Sequence, residues 1–173
     1  RFNALSGDDI EKSALFIYLN RHAFNGLCRY NKKGAFNVPF GKYHNPKFPV
    51  ERMIDFSIRA RKAEFKCQDF RETFKSVRAD DVIYCDPPYI PLSETSSFTS
   101  YSKDKFDLSD HADLAKEAIH AKRQGSQCLI SNHDLDLTRE LYREALIYEL
   151  LVQRNIASRS ASRLKIAEIV AVF

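Results

Sequence analysis

The sequence predicts an α/β protein in two parts: a mainly helical, loop-rich stretch over residues 1–64 and a sheet-forming stretch over residues 65–173. Three observations predict it. Charge is divided, with 13 Lys+Arg against 6 Asp+Glu in residues 1–66 and 14 against 17 in the remainder, an asymmetry that the net +4 conceals. Turn-forming residues crowd the first part at Gly26, Gly34, Pro39, Gly41, Pro46 and Pro49. In the second part, short apolar runs alternate with helical patterns, the order expected of a sheet with helices on its faces.

The elements follow in turn. Ser6-Gly7-Asp8-Asp9 offers helix-capping residues and early acids. Ile10, Ala14, Leu15, Ile17, Tyr18 and Leu19 then give an apolar face, predicting a helix over 8–20. Residues 25–49 read as loop, and Met53, Ile54, Phe56 and Ile58 mark a second helix over 51–63. A short strand is expected over 64–69 and a buried one over 81–85. A polar loop over 91–105 leads to a helix over 109–123, capped by Ser109 and ended near Gly125. Residues 127–131 read as a strand, 137–144 as a short helix, and 146–152 and 166–173 as two further strands. The basic Ser/Ala stretch 154–165 reads as loop.

Composition excludes several classes. A chain of 173 residues, 44% hydrophobic and 29% charged, has the balance of a globular protein with its own core, or of part of a larger one. No apolar run approaches the ~18 residues of a membrane span, and the start lacks a signal-peptide pattern, so no membrane partner is expected. Because the sequence opens on Arg1 rather than Met, a fragment of a longer protein is expected. Cys28, Cys67, Cys85 and Cys128 stand far apart without a Cys-x-x-Cys pair, which argues against structural zinc and for reduced thiols in a cytoplasm.

No acid occurs between Glu11 and Glu51. That interval holds Lys12, Arg21, Arg29, Lys32, Lys33, Lys42 and Lys47 and eight interleaved aromatic residues. A solvated basic face explains a run of three or four such residues; a stretch of 39 with rings between them points to a polyanion, and to nucleic acid before membrane.

Asp86-Pro87-Pro88-Tyr89 follows the run Val82-Ile83-Tyr84-Cys85. Two prolines cannot extend a sheet, since each lacks a donor and fixes φ. The chain therefore leaves the strand stiffly, at the end where open α/β sheets build their sites. A carboxylate and a rigid carbonyl can accept both hydrogens of a planar amine, drawing its nitrogen towards tetrahedral geometry with the lone pair facing an electrophile. Tyr89 can stack on a flipped base. The bland alternative is a strand end with a capping acid.

A second constellation is Asn25-Gly26-Leu27-Cys28-Arg29-Tyr30-Asn31. Arginine can donate two parallel bonds to a guanine edge, asparagine can read adenine or hold phosphate, and Phe24 can wedge between base pairs. Ser131-Asn132-His133-Asp134, at a strand's carboxyl end, lacks the spacing of a metal site or a nucleophile elbow and reads as structural pocket lining. The five glycines, at 7, 26, 34, 41 and 125, form no glycine-rich cofactor loop.

These pieces resemble the Dam-type DNA adenine methyltransferases, those whose recognition domain precedes the catalytic motif. The resemblance rests on Asn20-Arg21, Asn25 to Asn31, Gly34, Phe36 to Gly41 with Tyr43, and Asp86 to Tyr89. It continues through Pro91-Leu92-Ser93, Phe98-Thr99, Tyr101 and Ile130 to Asp134, in the family's order. It implies a partial Rossmann-like S-adenosylmethionine-dependent methyltransferase sheet over 65–173, preceded by a DNA target-recognition region over 1–64. The implied reaction is methyl transfer to the exocyclic amine of an adenine in double-stranded DNA, usually within GATC, by a cytoplasmic, nucleoid-associated protein that is monomeric when intact and uses no metal.

Carried across, Asp86, Pro87, Pro88 and Tyr89 are the catalytic tetrapeptide, and Asp86 and Phe70 contact the cofactor. Asn25, Leu27, Arg29, Asn31, Pro39 and Tyr43 read or frame the target. Arg21 and the loop from Ser93 contact the backbone, and Phe24 stands where relatives often carry a tyrosine wedge. The family's Lys/Gly-rich segment and aromatic-x-Gly-x-Gly loop have no counterpart before Arg1, so this chain alone is expected to bind S-adenosylmethionine weakly and to turn over little. The competing readings are a DNA-binding fragment without catalysis, or methylation of an RNA base or a protein amide.

Overall fold

The computed structural model describes residues 1–5, 9–92, 106–153 and 165–173. They fall into two compact units, Arg1–Lys66 and the described residues from Cys67 onwards. None of their helices is long and apolar enough to cross a membrane.

In the first unit, helix α1 (Ile10–His22) starts at Asp9, whose carboxylate accepts from the Glu11 amide at 2.9 Å. It runs two residues beyond the expected 20, and Arg21 places a cation at its negative end. Ala23 then turns to extended backbone and bridges Phe40, which stops the helix. Loop 25–49 folds on short contacts: a 3-10 turn at Phe24–Gly26 and a Tyr30–Phe36 bridge. Asn3 pins it from the chain's start, its side chain bonding the Phe36 carbonyl at 3.1 Å and the Phe36 amide at 2.8 Å. Gly41 is required where loop meets helix: its amide donates to His22 O at 2.6 Å, and a Cβ there would lie 2.9 Å from Ala23 O. Helix α2 (Val50–Ala60) follows Pro49, is held on its exposed side by an Arg59–Asp55 ion pair at 3.0 Å, and ends three residues short of the expected 63.

The second unit is built on a four-stranded sheet in the order β1-β2-β4-β3, formed by β1 (Val82–Cys85), β2 (Gln127–His133), β3 (Leu146–Gln153) and β4 (Lys165–Val172). β1 runs parallel to β2, and β4 is antiparallel to both β2 and β3. Helix α4 (Leu108–Arg123) makes the crossover that a parallel pair requires. Its Leu114, Ala115, Ala118 and Ala121 recur at helical spacing and pack with Cys128, Ile130, Tyr142 and Ile169 in the core. Two short helices, α3 (Phe70–Phe74) and α5 (Asp136–Leu141), complete the unit.

Three expectations are corrected. Residues 64–69 form no strand: they find no partner strand among the described residues, Phe65 is exposed, and Asp69 instead caps α3 through the Arg71 amide at 2.9 Å. β1 is an edge strand rather than a buried one, with Val82 71% and Tyr84 63% exposed, because among the described residues it pairs only with β2. The cap of α4 is Asp107, not Ser109. Its carboxylate reaches the Ser109 and Asp110 amides at 2.8 and 3.1 Å, and Asp110 returns a bond to the Asp107 amide at 2.9 Å.

α3 is tied to α4 by Arg71, which donates to Asp110 at 2.8 Å and Asp113 at 2.7 Å. The guanidinium holds both carboxyls below their usual range. Their contribution is therefore fully present above the unfolded carboxyl value of about 4 and is lost as pH falls through the lowered folded values. Arg71→Leu is expected to lower the thermal midpoint near neutrality, with the deficit shrinking as pH falls below the unfolded carboxyl value of about 4. An equal deficit at neutral and at acid pH would show that the ion pairs do not matter.

Candidate functional site

The chemistry-bearing residues gather at the carboxyl ends of β1 and β2, which the parallel pairing brings side by side, Cys85 opposite Ile130. Beyond Cys85 the two prolines end the ladder. Asp86 and Pro88 are exposed, Pro87 is buried, Tyr89 is half-buried and Ile90 is buried. The tetrapeptide thus turns its acid outward while its first proline anchors it.

Three consecutive residues of β2 grip this turn. Ser131 Oγ donates to Asp86 Oδ1 at 3.0 Å and accepts from the Tyr84 hydroxyl at 3.2 Å. Asn132, fully buried, accepts from the Ile90 amide at 3.0 Å through Oδ1. His133 Nδ1 lies 2.7 Å from the Ile90 carbonyl, and its ring meets that of Tyr89 edge-on at 5.1 Å. Burial raises the Tyr89 phenol's pKa, which keeps it protonated at neutral pH. Behind the turn, buried His111 packs edge-on to Phe106 at 4.8 Å. Burial depresses its imidazole and the Pro88 carbonyl offsets part of this, yet neither ring nitrogen completes a hydrogen bond with a described group. Beneath Asp86, Cys85 and Cys128 meet as thiols 3.9 Å apart.

Phe70 sits half-buried in the same unit, between Phe106 at 5.7 Å and Phe74 at 6.5 Å, with the Arg71 guanidinium 4.4 Å from its ring centre. One side of that ring is therefore engaged already.

The first unit carries the other predicted residues, and Arg21, Phe24, Asn25, Leu27, Arg29, Asn31, Pro39 and Tyr43 are all exposed. Asn25 and Gly26 both take left-handed backbone, φ 52° and 64°, which projects the asparagine from a tight turn. Arg21, Asn25 and Tyr43 line one groove of about 320 Å³ with Asn20 and Lys47, cationic and without an acid. Arg29 is braced by Asn37, donating to its Oδ1 at 3.0 Å and its carbonyl at 2.9 Å. Asn31 builds its own loop, its side-chain oxygen accepting from Lys33 and Ala35 at 2.9 and 3.0 Å. Ser93 lies outside the described residues, as does the loop it opens.

Comparison with known proteins covers both units. A family model described as D12 class N6 adenine-specific DNA methyltransferase matches residues 1–156. The chain belongs to this family. It is 49% identical over 169 residues to a DNA adenine methylase of Vibrio cholerae, covering 97% of this chain and 61% of that relative. Against the DNA adenine methylase of Haemophilus influenzae it is 47% identical over 176 residues, 100% of this chain and 60% of the relative. With that of Escherichia coli it shares 44% over 170 residues, 97% and 60%. The chain thus spans about 61% of the length of the first of these methyltransferases.

Membership in this methyltransferase family implies S-adenosylmethionine, and the donor set here fits that group at two points. Asp86 offers an exposed carboxylate for a cationic ligand, and the half-buried Phe70 ring offers apolar surface for its base. What the sequence reading passed over is the grip of Ser131, Asn132 and His133 on the turn from Asp86 to Ile90. Its one signal was their place at the end of the strand beside β1.

Proposed function

We propose that the whole protein is a site-specific DNA adenine methyltransferase that transfers a methyl group from S-adenosylmethionine to the exocyclic amine of a flipped adenine, in GATC. The observation that supports this best is the exposed Asp86 carboxylate at the stiff end of β1, with one oxygen engaged by Ser131. When bound, S-adenosylmethionine supplies an electrophilic methyl group; Asp86 and Phe70 are the residues here that would hold it. Asp86 and the Pro87 carbonyl accept the two amine hydrogens and turn the nitrogen lone pair outward. Tyr89, held edge-on by His133, covers the base and helps offset the cost of unstacking it.

In this reading residues 1–64 recognise the target and residues 65–173 contribute the catalytic part of a Rossmann-like sheet. Phe24 fills the space the flipped base leaves. Arg29, fixed in plane by Asn37, presents its remaining donors to a guanine edge, while Arg21 and Lys47 take phosphates. The partner is duplex DNA met by a monomer in a bacterial cytoplasm.

The test is methylation by the whole protein of a GATC duplex and of a scrambled duplex. The methyl group is expected on the GATC adenine amine. Arg29→Ala is expected to reduce the preference for GATC about tenfold to a hundredfold. Methylation confined to RNA, or to a protein amide, would replace this reading; equal binding of both duplexes with one steep salt dependence would leave only polyanion affinity.

A further inference from the structure

We propose that Ser131 is a positioning residue that decides which oxygen of Asp86 meets the substrate amine, an inference that rests on the role given to Asp86 above. Ser131 is buried in β2 at 4% exposure, and its Oγ lies within hydrogen-bond reach of the Tyr84 hydroxyl on β1 and of the Asp86 carboxylate just beyond it. A hydroxyl carries a single proton. Tyr84 directs its own to the Ser131 oxygen at 3.2 Å, so Ser131 is the donor towards the turn. Its acceptors there include Asp86 Oδ1 at 3.0 Å and the Cys85 carbonyl at 3.4 Å. The shorter, charge-assisted bond prevails. Oδ1 is thereby occupied, and Oδ2 accepts from no described residue. At the other end of the turn, Asn132 and His133 hold both backbone groups of Ile90. With both ends fixed from β2, the free oxygen of Asp86 has one direction to face.

The arrangement predicts how an amide behaves at position 86. In Asp86→Asn, the Ser131 proton still requires an acceptor, so the amide oxygen turns to Ser131 and its NH₂ meets the substrate amine, donor against donor. Removing the serine hydroxyl lifts that constraint and lets the amide rotate its oxygen outward. A residue that merely filled space beside Asp86 would give no such rescue.

The experiment measures single-turnover methyl transfer and duplex affinity in the whole protein for wild type, Ser131→Ala, Asp86→Asn and the double variant. Ser131→Ala is expected to slow transfer on the order of tenfold, with duplex affinity unchanged. The double variant is expected to be faster than Asp86→Asn alone. If Ser131→Ala does not fold, Ser131→Cys occupies similar space with a weak donor and is expected to show the same slow transfer. Wild-type rate in the Ser131 variants, or a double variant no faster than Asp86→Asn, overturns the proposal while leaving the functional reading intact. A wild-type protein that methylates no adenine overturns the functional reading and takes this inference with it.

Discussion

Asp86→Ala is expected to lower single-turnover adenine methylation by the whole protein about a thousandfold, equivalent to ~4 kcal/mol of transition-state stabilisation. The carboxylate is asked to accept an amine hydrogen whose bond strengthens as the nitrogen becomes tetrahedral, so its loss falls on the chemical step. Duplex affinity is expected to change little, because the groups assigned to the target lie in the first unit. Quench-flow methylation and equilibrium binding separate the two quantities. A variant that keeps more than about a tenth of the wild-type rate would remove Asp86 from the mechanism.

Asn132→Leu carries the largest expected effect on stability. The Asn132 side chain is fully buried and serves three groups at once: the Ile90 amide at 3.0 Å, the His133 amide at 2.9 Å and the Tyr142 hydroxyl at 3.2 Å. Leucine keeps the branched shape but is bulkier, and it offers neither the Ile90 amide nor the Tyr142 hydroxyl a partner where water does not reach. At ~1–3 kcal/mol for each orphaned group, a loss of about 4 kcal/mol is expected, a large share of the ~5–15 kcal/mol that holds a domain together. Tyr142 would feel it directly, since burial already pushes its phenol up to about 12 and the Asn132 bond works against that rise. Urea unfolding of the 173-residue chain followed by circular dichroism reads the change. A loss under about 1 kcal/mol would mean that the second unit relaxes around the site.

Much of the fold was legible because local signals agreed. The apolar face of Ile10 to Leu19, the helix ending near Gly125, and the strand-like runs at 127–131 and 166–173 each led to the element observed. Two of the failures share one cause: they depend on partners distant in sequence. Residues 64–69 read as a strand by composition but have no partner strand among the described residues to complete their hydrogen bonds. β1 reads as buried by its residues, and the strand order makes it an edge among the described residues. Ser109 is an ordinary cap candidate; Asp107 outcompetes it because Asp110 returns a reciprocal bond.

The candidate site was readable by residue type and unreadable by contact. Asp86 and Tyr89 stand out as a motif, whereas the bond from Ser131 to Asp86 spans 45 positions and exists only in the register that sets Cys85 opposite Ile130. Arg29 was visible as a candidate base reader, but its brace, Asn37, lies across a loop whose closure no local pattern predicts.

Gly41 has a consequence for the exposed ring at position 24. The Phe24 amide is bonded to the Pro39 carbonyl at 2.9 Å, and Gly41 docks on the last turn of α1, so the main chain alone sets where that side chain emerges. Aim and chemistry are thereby uncoupled at this position. The ring can exchange its substituents, gaining or losing a hydroxyl, while the scaffold beneath it keeps the same bearing. A lineage can therefore retune what this side chain presents without rebuilding the surface that presents it.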